Sequence, residues 1–347
     1  MTPPRRLFAQ TLAAGALAAS ALPASAAPRR PALYARRLQP GDTIGLVSPA
    51  NATFEREPYA IATEALQALG FKVKPGAHLR ARYGQFGGTD AQRAADINAM
   101  FADDSVAGII AMTGGSGCNR IVDKLDYPLI AAKPKFFGGF SDLTSLINAI
   151  QARTGLVTFH CPVAASEWNE FSLASFRAIV MEGQALTLRN PPPQRGDHLV
   201  ATQDRISTIT PGRARGPLLG GNLAVLSSLA GSPYFPDFKG AVLFLEEINE
   251  YIYRVDRMLS TLRLAGALEG LAGVVIGKFT KCEPGEGNFG TLTLDEVFDD
   301  YFKPLGVPVF RGAMIGHIKR KHTLPVGAEV EIDAEAGTIS LLRPATR

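Results

Sequence analysis

The sequence predicts an α/β protein whose first domain contains a doubly wound, mostly parallel sheet. Short, almost wholly apolar segments such as VAGIIAM (residues 106–112) alternate with segments that carry apolar residues at helical spacing. Strands that are buried on both faces form continuous apolar runs, and their alternation with helices is typical of a parallel sheet covered by helices on both sides. A second block of the same kind follows a proline-rich stretch, which indicates a second α/β domain.

The first block, assigned to residues 27–165, contains five predicted strands and four predicted helices. The predicted strands lie at residues 43–48, 71–74, 106–112, 136–140 and 157–160. The predicted helices are residues 58–69, residues 90–101 with Asp90 as cap, a helix ending at Lys124, and a helix with the apolar stripe Leu143, Leu146, Ile147 and Ile150.

The remaining chain divides into a connector and a second block. Residues 166–212 include the polar, proline-rich NPPPQRGDH and are predicted to be an interdomain segment. The second block, residues 213–347, should form strands at 241–247 and 273–279, helices near 254–265 and 293–302, and a closing hairpin at 328–342.

The composition is that of a folded globular chain. Of the 347 residues, 46% are hydrophobic and 20% are charged, which suits one large domain or two ordinary ones. The net charge is +4, but lysine and arginine form no block that could follow a phosphate backbone. We therefore expect no nucleic-acid partner.

No pattern in the sequence predicts a metal or an organic cofactor. The three cysteines, Cys118, Cys161 and Cys282, are odd in number and widely spaced, unlike a disulfide framework. Neither CxxC nor HExxH occurs, and the glycine-rich turns do not match the GxGxxG dinucleotide fingerprint. We expect neither kind of group.

Residues 1–26 have the features of a bacterial export signal. Arg5 and Arg6 precede an alanine-rich apolar stretch, and a small-residue cleavage site (ASA) follows it. Paired arginines favour the twin-arginine route, so we expect a periplasmic protein. Pro23 interrupts the apolar stretch, which is short for a membrane span; the alternative is an uncleaved anchor. Cleavage removes two arginines and no acids, which lowers the net charge from +4 to +2, and we expect no stable membrane insertion afterwards.

Ser141 stands where a predicted strand becomes a helix, in FFGGFSDLTSLINAI (residues 136–150). A side chain at this junction faces the helix N-terminus, whose free N–H groups stabilise negative charge. Gly138 and Gly139 permit a sharp turn and close packing. Ser141 is therefore a candidate nucleophile. The alternative is that Ser141 or Asp142 only caps the helix.

Two more side chains could complete a triad with Ser141. Glu246 follows four apolar residues of a predicted strand, and His317 is predicted at the end of another apolar strand. The order Ser, Glu, His is that of hydrolases with a nucleophile on a strand-to-helix turn. The alternatives are that Glu246 forms a structural ion pair with Arg254 or Arg257 and that His317 is an ordinary interface histidine.

The glycine loop TGGSG (residues 113–117) could supply part of an oxyanion hole. It follows a buried strand, and its backbone N–H groups could act together with the N–H of Asp142. A GGSG sequence on its own is more often an ordinary turn, so this assignment depends on where the loop lies.

Six segments, in this order along the chain, together resemble the LD-carboxypeptidase family of serine peptidases, which includes the microcin C immunity peptidases. They span nearly all of the chain after the signal. The segments are PGDTIGLVSPA (40–50), TGGSGCNRIVDKLDY (113–127), GGFSDLTSL (138–146), GPLLGGNLAVL (216–226), LFLEEINEYIYRVDRML (243–259) and IGH with the following TLPVG (315–327).

The resemblance implies a triad in which Ser141 attacks an amide carbonyl, His317 acts as base and then acid, and Glu246 orients His317. It implies oxyanion donors at Asp142 and in the region of Gly115. It also implies a smaller C-terminal α/β domain that meets the first at the active site, in a homodimer. The expected reaction releases the terminal D-alanine of murein tetrapeptides by cutting its bond to the L-centre of diaminopimelate or lysine.

Two departures from the family pattern leave the substrate open. Many relatives have Arg-Gly-Gly-Tyr-Gly where this chain has TGGSG, and murein-recycling members are mostly cytoplasmic. The alternatives are a peptidase or amidase for a peptide–nucleotide antibiotic of the microcin C type and a periplasmic murein-peptide-binding protein without activity. Arg254 and Arg257 are candidate binders of a substrate carboxylate, and Tyr251 and Tyr253 are candidate pocket residues. Ion pairing and core packing are their ordinary roles.

Overall fold

The computed structural model describes residues 30–286 and 290–347, so the predicted export signal at 1–26 lies outside the described residues. Strands and helices alternate along most of this length. The strands are β1 (Thr43–Val47), β2 (Lys72–Pro75), β3 (Val106–Ala111), β4 (Phe136–Gly139), β5 (Thr158–His160), β6 (Thr187–Leu188), β7 (Ser207–Thr210), β8 (Arg213–Asn222), β9 (Val242–Ile248), β10 (Gly273–Thr280), β11 (Val309–Arg311), β12 (Leu324–Val326), β13 (Glu329–Asp333) and β14 (Thr338–Leu341).

The N-terminal sheet has six strands in the spatial order β12-β5-β4-β3-β1-β2. Strands β1 to β5 pair in parallel, and their order 2-1-3-4-5 is that of a doubly wound sheet. The sixth strand, β12, pairs antiparallel with β5. The predicted mostly parallel sheet is confirmed, and the segments that follow β1, β3 and β4 leave it at one edge.

The helices agree with the apolar periodicity, with two local corrections. The segment predicted as a helix ending at Lys124 is a 3-10 helix, Cys118–Lys124. The cap predicted at Asp90 is wrong, because Thr89 forms a capping box with Gln92 while Asp90 is the first helical residue. The α-helices are α1 (Glu57–Ala68), α2 (Asp90–Ala102), α3 (Tyr127–Ala132), α4 (Thr144–Thr154), α5 (Glu170–Phe176), α6 (Leu223–Ser227), α7 (Ile252–Leu264) and α8 (Leu294–Phe302). Over the described ranges, no helix has both the length and the apolar character needed to cross a membrane.

The second sheet has eight strands in the order β6-β14-β13-β8-β9-β10-β11-β7. Strands β8 to β11 are parallel neighbours, and the predicted closing hairpin appears as β13 and β14. Residues 166–212, predicted as an interdomain segment, contain α5 and also supply the two edge strands β6 and β7. The second sheet, with eight strands, is therefore larger than the first, with six.

The two sheets meet through α4. The side chain of Asn148 donates to the Gly220 carbonyl at 2.9 Å, and the Asn222 N–H donates to Thr144 Oγ1 at 3.0 Å. Because α4 begins just after β4, these bonds bring the carboxyl end of β8 against the turn that contains Ser141. Strand β9 pairs with β8, with Glu246 opposite Asn222, so the carboxylate of Glu246 lies at the same junction.

Candidate active site

Ser141 occupies a strained turn between β4 and α4. A 3-10 turn, Ser141–Leu143, precedes α4, and Ser141 has φ = +66°, in the left-handed region that L side chains rarely adopt. Neither the 3-10 turn nor α4 has a side-chain cap. The alternative that Ser141 or Asp142 only caps the helix is therefore wrong. A serine in such a turn stands at the edge of the sheet, where a strand-to-helix nucleophile is placed.

The structure brings Ser141, His317 and Glu246 into one hydrogen-bonded chain. The Nε2 of His317 lies 2.9 Å from Ser141 Oγ, and its Nδ1 lies 2.7 Å from Glu246 Oε2. Glu246 is fully buried, whereas the His317 side chain is 16% exposed. A carboxylate can only accept, so it favours the tautomer with hydrogen on Nδ1, which leaves Nε2 free to take the serine proton.

His317 reaches this position from a loop, and its predicted place at the end of an apolar strand is wrong. Strand β11 ends at Arg311, and residues 312–323 run irregularly to β12. Gly312 and Gly316 have φ values of +95° and +120°, away from the φ of a regular extended strand. The loop is anchored instead by the Lys278 N–H, which donates to the Ile315 carbonyl at 2.9 Å.

The glycine loop lies directly against the nucleophile. A Cβ on Gly114 would stand 2.8 Å from Ser141 Cβ and 3.0 Å from its Oγ, so only a glycine fits there. Gly115 lines the same cavity as Ser141, and its N–H donates to no backbone carbonyl among the described residues. Gly115 therefore lies beside Ser141, in the region where the resemblance implies an oxyanion donor.

The Asp142 side chain joins the nucleophile turn to the segment after the glycine loop. Its Oδ2 accepts the Cys118 N–H at 2.7 Å, and the side chain is buried. Burial raises the pKa of the Asp142 carboxyl above its ordinary value, while the bond from Cys118 lowers it. The backbone of Asp142 remains the second predicted oxyanion donor.

A cavity of about 590 Å³ opens beside Ser141 and His317. Among its lining residues within the described chain, only Glu55 and His317 carry an ionisable side chain, and neither lysine nor arginine contributes. Sequence reasoning missed most of this wall, although Asn51 follows β1 at the same sheet edge as Ser141, a signal that could have been used. Polar and aromatic residues that line it include Asn51, Thr53, Phe54, Thr113, Phe140 and Ser166.

The structure places Arg254 and Tyr253 at the start of α7, outside the lining of this cavity. Arg254 contacts Glu250 at 3.4 Å and Tyr253 Oη at 3.1 Å. Arg254 and Arg257 also lie over the Tyr253 ring, at 5.7 and 5.4 Å from its centroid. Among the described residues neither arginine pairs with Glu246, so the alternative of a structural ion pair is not formed.

Each of the two parts of the chain matches the model of a known protein domain. Residues 44–161 match the model of the LD-carboxypeptidase N-terminal domain, and residues 215–332 match that of the LD-carboxypeptidase C-terminal domain. A Bacillus subtilis (strain 168) protein named "Probable murein peptide carboxypeptidase" is 34% identical over 310 residues, covering 87% of this chain and 92% of the relative.

Solved structures show the same fold. MccF in complex with glutamyl sulfamoyl guanosine is 26% identical, with a TM-score of 0.81 over 91% of this chain and 100% of that one. The muramoyltetrapeptide carboxypeptidase of Oxalobacter formigenes is 27% identical, with a TM-score of 0.72 over 86% and 97% of the two chains. With both domains matched and this fold shared, the chain belongs to the LD-carboxypeptidase family of serine peptidases.

Proposed function

We propose that this protein is a serine carboxypeptidase that removes the terminal D-alanine from murein tetrapeptides. The hydrogen-bonded chain from Ser141 through His317 to Glu246 carries the proposal, because it supplies a nucleophile, its base and the group that orients the base. The names of the B. subtilis and O. formigenes relatives support the choice of a murein peptide.

The reaction proceeds in two acyl-transfer steps. Ser141 Oγ attacks the carbonyl carbon at the L-centre, and its proton passes to His317 Nε2. The tetrahedral intermediate collapses, the C–N bond breaks, and His317 returns the proton to the amine of the departing D-alanine. Water then gives a proton to His317 and attacks the acyl ester; the ester C–O bond breaks, and His317 passes that proton to Ser141 Oγ as the shortened peptide leaves. Glu246 keeps the His317 ring in position through its bond to Nδ1 and stabilises the charged form of the ring in both steps.

The oxyanion that forms in both steps needs N–H donors beside Ser141. We assign this role to the backbone N–H groups of Gly115 and Asp142. The contact between Gly114 and Ser141 supports this assignment, because it brings the loop backbone within reach of the nucleophile. Preorganised donors of this kind typically contribute about 10²- to 10³-fold to the rate.

The charge of the cavity bears on how the substrate is held. With neither lysine nor arginine in its described wall, a substrate carboxylate bound there would depend on neutral donors such as Asn51 and Ser166. Glu55 is an exposed acid on the same wall, and it suits the side-chain ammonium that diaminopimelate and lysine both carry. The cavity therefore fits a zwitterionic peptide better than a polyanion.

A peptidase for a peptide–nucleotide of the microcin C type is the second candidate. The TM-score of 0.81 to MccF, and the loop TGGSG in place of the usual Arg-Gly-Gly-Tyr-Gly, favour it. A panel of substrates separates the two. We expect kcat/KM for a murein tetrapeptide to exceed that for aspartyl sulfamoyl adenosine by at least about 100-fold; the reverse order would make the second candidate correct.

We also propose that the protein acts in the periplasm, as a homodimer, after removal of residues 1–26. The twin-arginine pattern at Arg5 and Arg6 supports export in the folded state. Cell fractionation of a strain that expresses the full chain, beside the variant with both arginines changed to lysine, tests the route. Light scattering on the mature protein tests the dimer, and a monomer mass would refute it.

A further inference from the structure

The backbone and the side chain of Asn51 both bind the glycine loop, on either side of Gly115. The Asn51 N–H donates to the Gly114 carbonyl at 3.3 Å, and the Ser116 N–H donates to Asn51 Oδ1 at 3.0 Å. The Ser116 hydroxyl lies 3.3 Å from the same oxygen and donates to it as well. Asn51 therefore holds one polar group in each of the two peptide units that meet at Gly115.

These bonds determine where the N–H of Gly115 points. The peptide bonds of the described chain are all trans, and in a planar trans unit the C=O and the N–H point in opposite directions. Because the Gly114 carbonyl is turned towards the Asn51 N–H, the Gly115 N–H of the same unit is turned away from it. The Gly115 N–H donates to no backbone carbonyl among the described residues, so it can donate to a ligand in the cavity that Gly115 and Ser141 both line.

The Asn51 carboxamide also packs directly on Gly115. A Cβ on Gly115 would stand 2.1 Å from Asn51 Cγ and 2.5 Å from both Oδ1 and Nδ2, so only a glycine fits there. The Ser116 N–H is a donor and therefore faces the oxygen of the carboxamide. The loop cannot move towards Asn51 without a collision, and it cannot move away without breaking the bond from Ser116.

Arg93 joins the segment of Asn51 to the glycine loop. Its side chain is fully buried, and its Nη1 donates to the carbonyls of Pro49 and Gly117, the latter at 2.9 Å. Asp90 Oδ1 lies 2.6 Å from Nη2 and balances the buried charge. Because this arginine binds both segments, Asn51 and the glycine loop are held at the separation that their own hydrogen bonds require.

We propose that Asn51 is a positioning residue of the oxyanion hole, which keeps the Gly115 N–H directed at the oxygen that becomes negative. The inference rests on the proposed roles of Ser141 and Gly115. Without Oδ1 the Ser116 N–H loses its acceptor, and Gly115, which has no side chain, can change its backbone angles. A donor that must first be oriented stabilises the oxyanion less than a preorganised one.

The test follows the reaction of Ser141 with a fluorophosphonate, which requires no murein peptide. The serine oxygen forms a bond to phosphorus, fluoride leaves, and the serine proton passes to His317. The phosphoryl oxygen of the product occupies the place of the oxyanion. A hydrogen bond from Gly115 to that oxygen moves the Gly115 amide proton signal downfield in the NMR spectrum of ¹⁵N-labelled protein, so the donor is observed in the product as well as through the labelling rate.

In Asn51→Ala we expect the labelling rate constant to fall by about 10- to 100-fold, less than the loss of a whole donor would cost. The downfield shift of Gly115 in the product should shrink, and the Ser116 amide should exchange with solvent faster. Asn98→Ala is the matched control. Asn98 is half-buried like Asn51, and its Oδ1 accepts the Asp126 N–H at 2.9 Å, but it does not line the cavity. This variant should keep the wild-type rate and the wild-type Gly115 shift.

Asn51→Leu, which keeps the size of the side chain but has no acceptor, should show the same losses if the alanine variant does not fold. Thermal unfolding followed by circular dichroism establishes which variants are folded. A folded Asn51 variant with the wild-type Gly115 shift, or an equal loss of rate in Asn98→Ala, would overturn the proposal and leave the role of Ser141 intact. A labelled wild type without the Gly115 shift would refute Gly115 as the donor and the proposal with it. A wild-type protein that is never labelled would refute the role of Ser141 as well.

Discussion

Gly316→Ala should damage the triad through a position that takes no part in the chemistry. Gly316 precedes His317 and has φ = +120°, which strains any L side chain. A Cβ there would stand 2.8 Å from Glu246 Oε2 and 3.0 Å from Glu246 Cβ. Because Glu246 is fully buried and bonded to His317, the collision can be relieved only by moving the loop or the carboxylate.

The effect has two parts, the backbone strain at residue 316 and the displacement of the triad, and the magnitude of each can be worked out. Holding alanine at this φ costs about 1–3 kcal/mol of the free energy of unfolding. Moving Glu246 or His317 by several tenths of an ångström lengthens the 2.7 Å bond between them, and misplacements of up to about 1 Å cost about 10²-fold in rate. We therefore expect kcat/KM to fall by about 10- to 100-fold, mostly in kcat, because Gly316 does not line the cavity.

Gly306→Ala provides the matched control. Gly306 also has a positive φ, +64°, but a Cβ there would meet no atom within 4 Å. It should lose about 1–2 kcal/mol of stability, the cost of an L side chain in the left-handed region, and keep full activity. Steady-state kinetics and urea unfolding of both variants are the measurements. Full activity in Gly316→Ala, or an equal loss in Gly306→Ala, would refute the reasoning.

Three further predictions concern single carboxylates. Glu246→Gln should lower kcat by about 10²- to 10⁴-fold with little change in KM, because an amide can hold the wrong His317 tautomer; kinetics near the wild-type values would contradict this. Glu55→Gln should lower kcat/KM about 2- to 5-fold for a lysine-type tetrapeptide but not for its Nε-acetyl form, and equal losses for both would exclude the ammonium contact. Burial raises the pKa of Glu247 to about 7, so the folded protein holds its proton more tightly than the unfolded chain, whose carboxyl titrates near 4.5. The free energy of unfolding should therefore fall, by on the order of 3 kcal/mol, as pH rises from about 4.5 to 7. Urea unfolding across this range should show the slope in the wild type and a flatter one in Glu247→Gln; parallel profiles would contradict the assignment.

Local patterns were sufficient to predict the first sheet and two of the three triad positions. The strand of residues 136–139 and the helical stripe after it locate the Ser141 turn, because apolar runs and glycines act over a few residues. Glu246 follows from the same logic, since β9 is almost wholly apolar up to that residue. These features depend on sequence neighbours, which the sequence displays directly.

Features that depend on distant contacts were harder to predict. His317 lies on a loop whose path is fixed by the bond from Lys278 to Ile315 and by Gly316, so its local apolar neighbours wrongly suggested a strand end. Strands β6 and β7 are short and partly polar, and their register is set by the sheet edges they join. The cavity wall at Asn51 and Glu55 comes from the loop after β1; its place at the sheet edge could have suggested Asn51, but no local pattern marks Glu55 as a neighbour of Ser141.

The central claim is that Ser141 hydrolyses the bond to the terminal D-alanine of a murein tetrapeptide. Mass spectrometry of that peptide after incubation with the mature protein, wild type beside Ser141→Ala, tests it most directly. We predict the loss of one alanine residue with the wild type and none with the variant, whose unfolding curve should match. Equal cleavage by both proteins would contradict the mechanism, and an intact peptide with both would contradict the substrate.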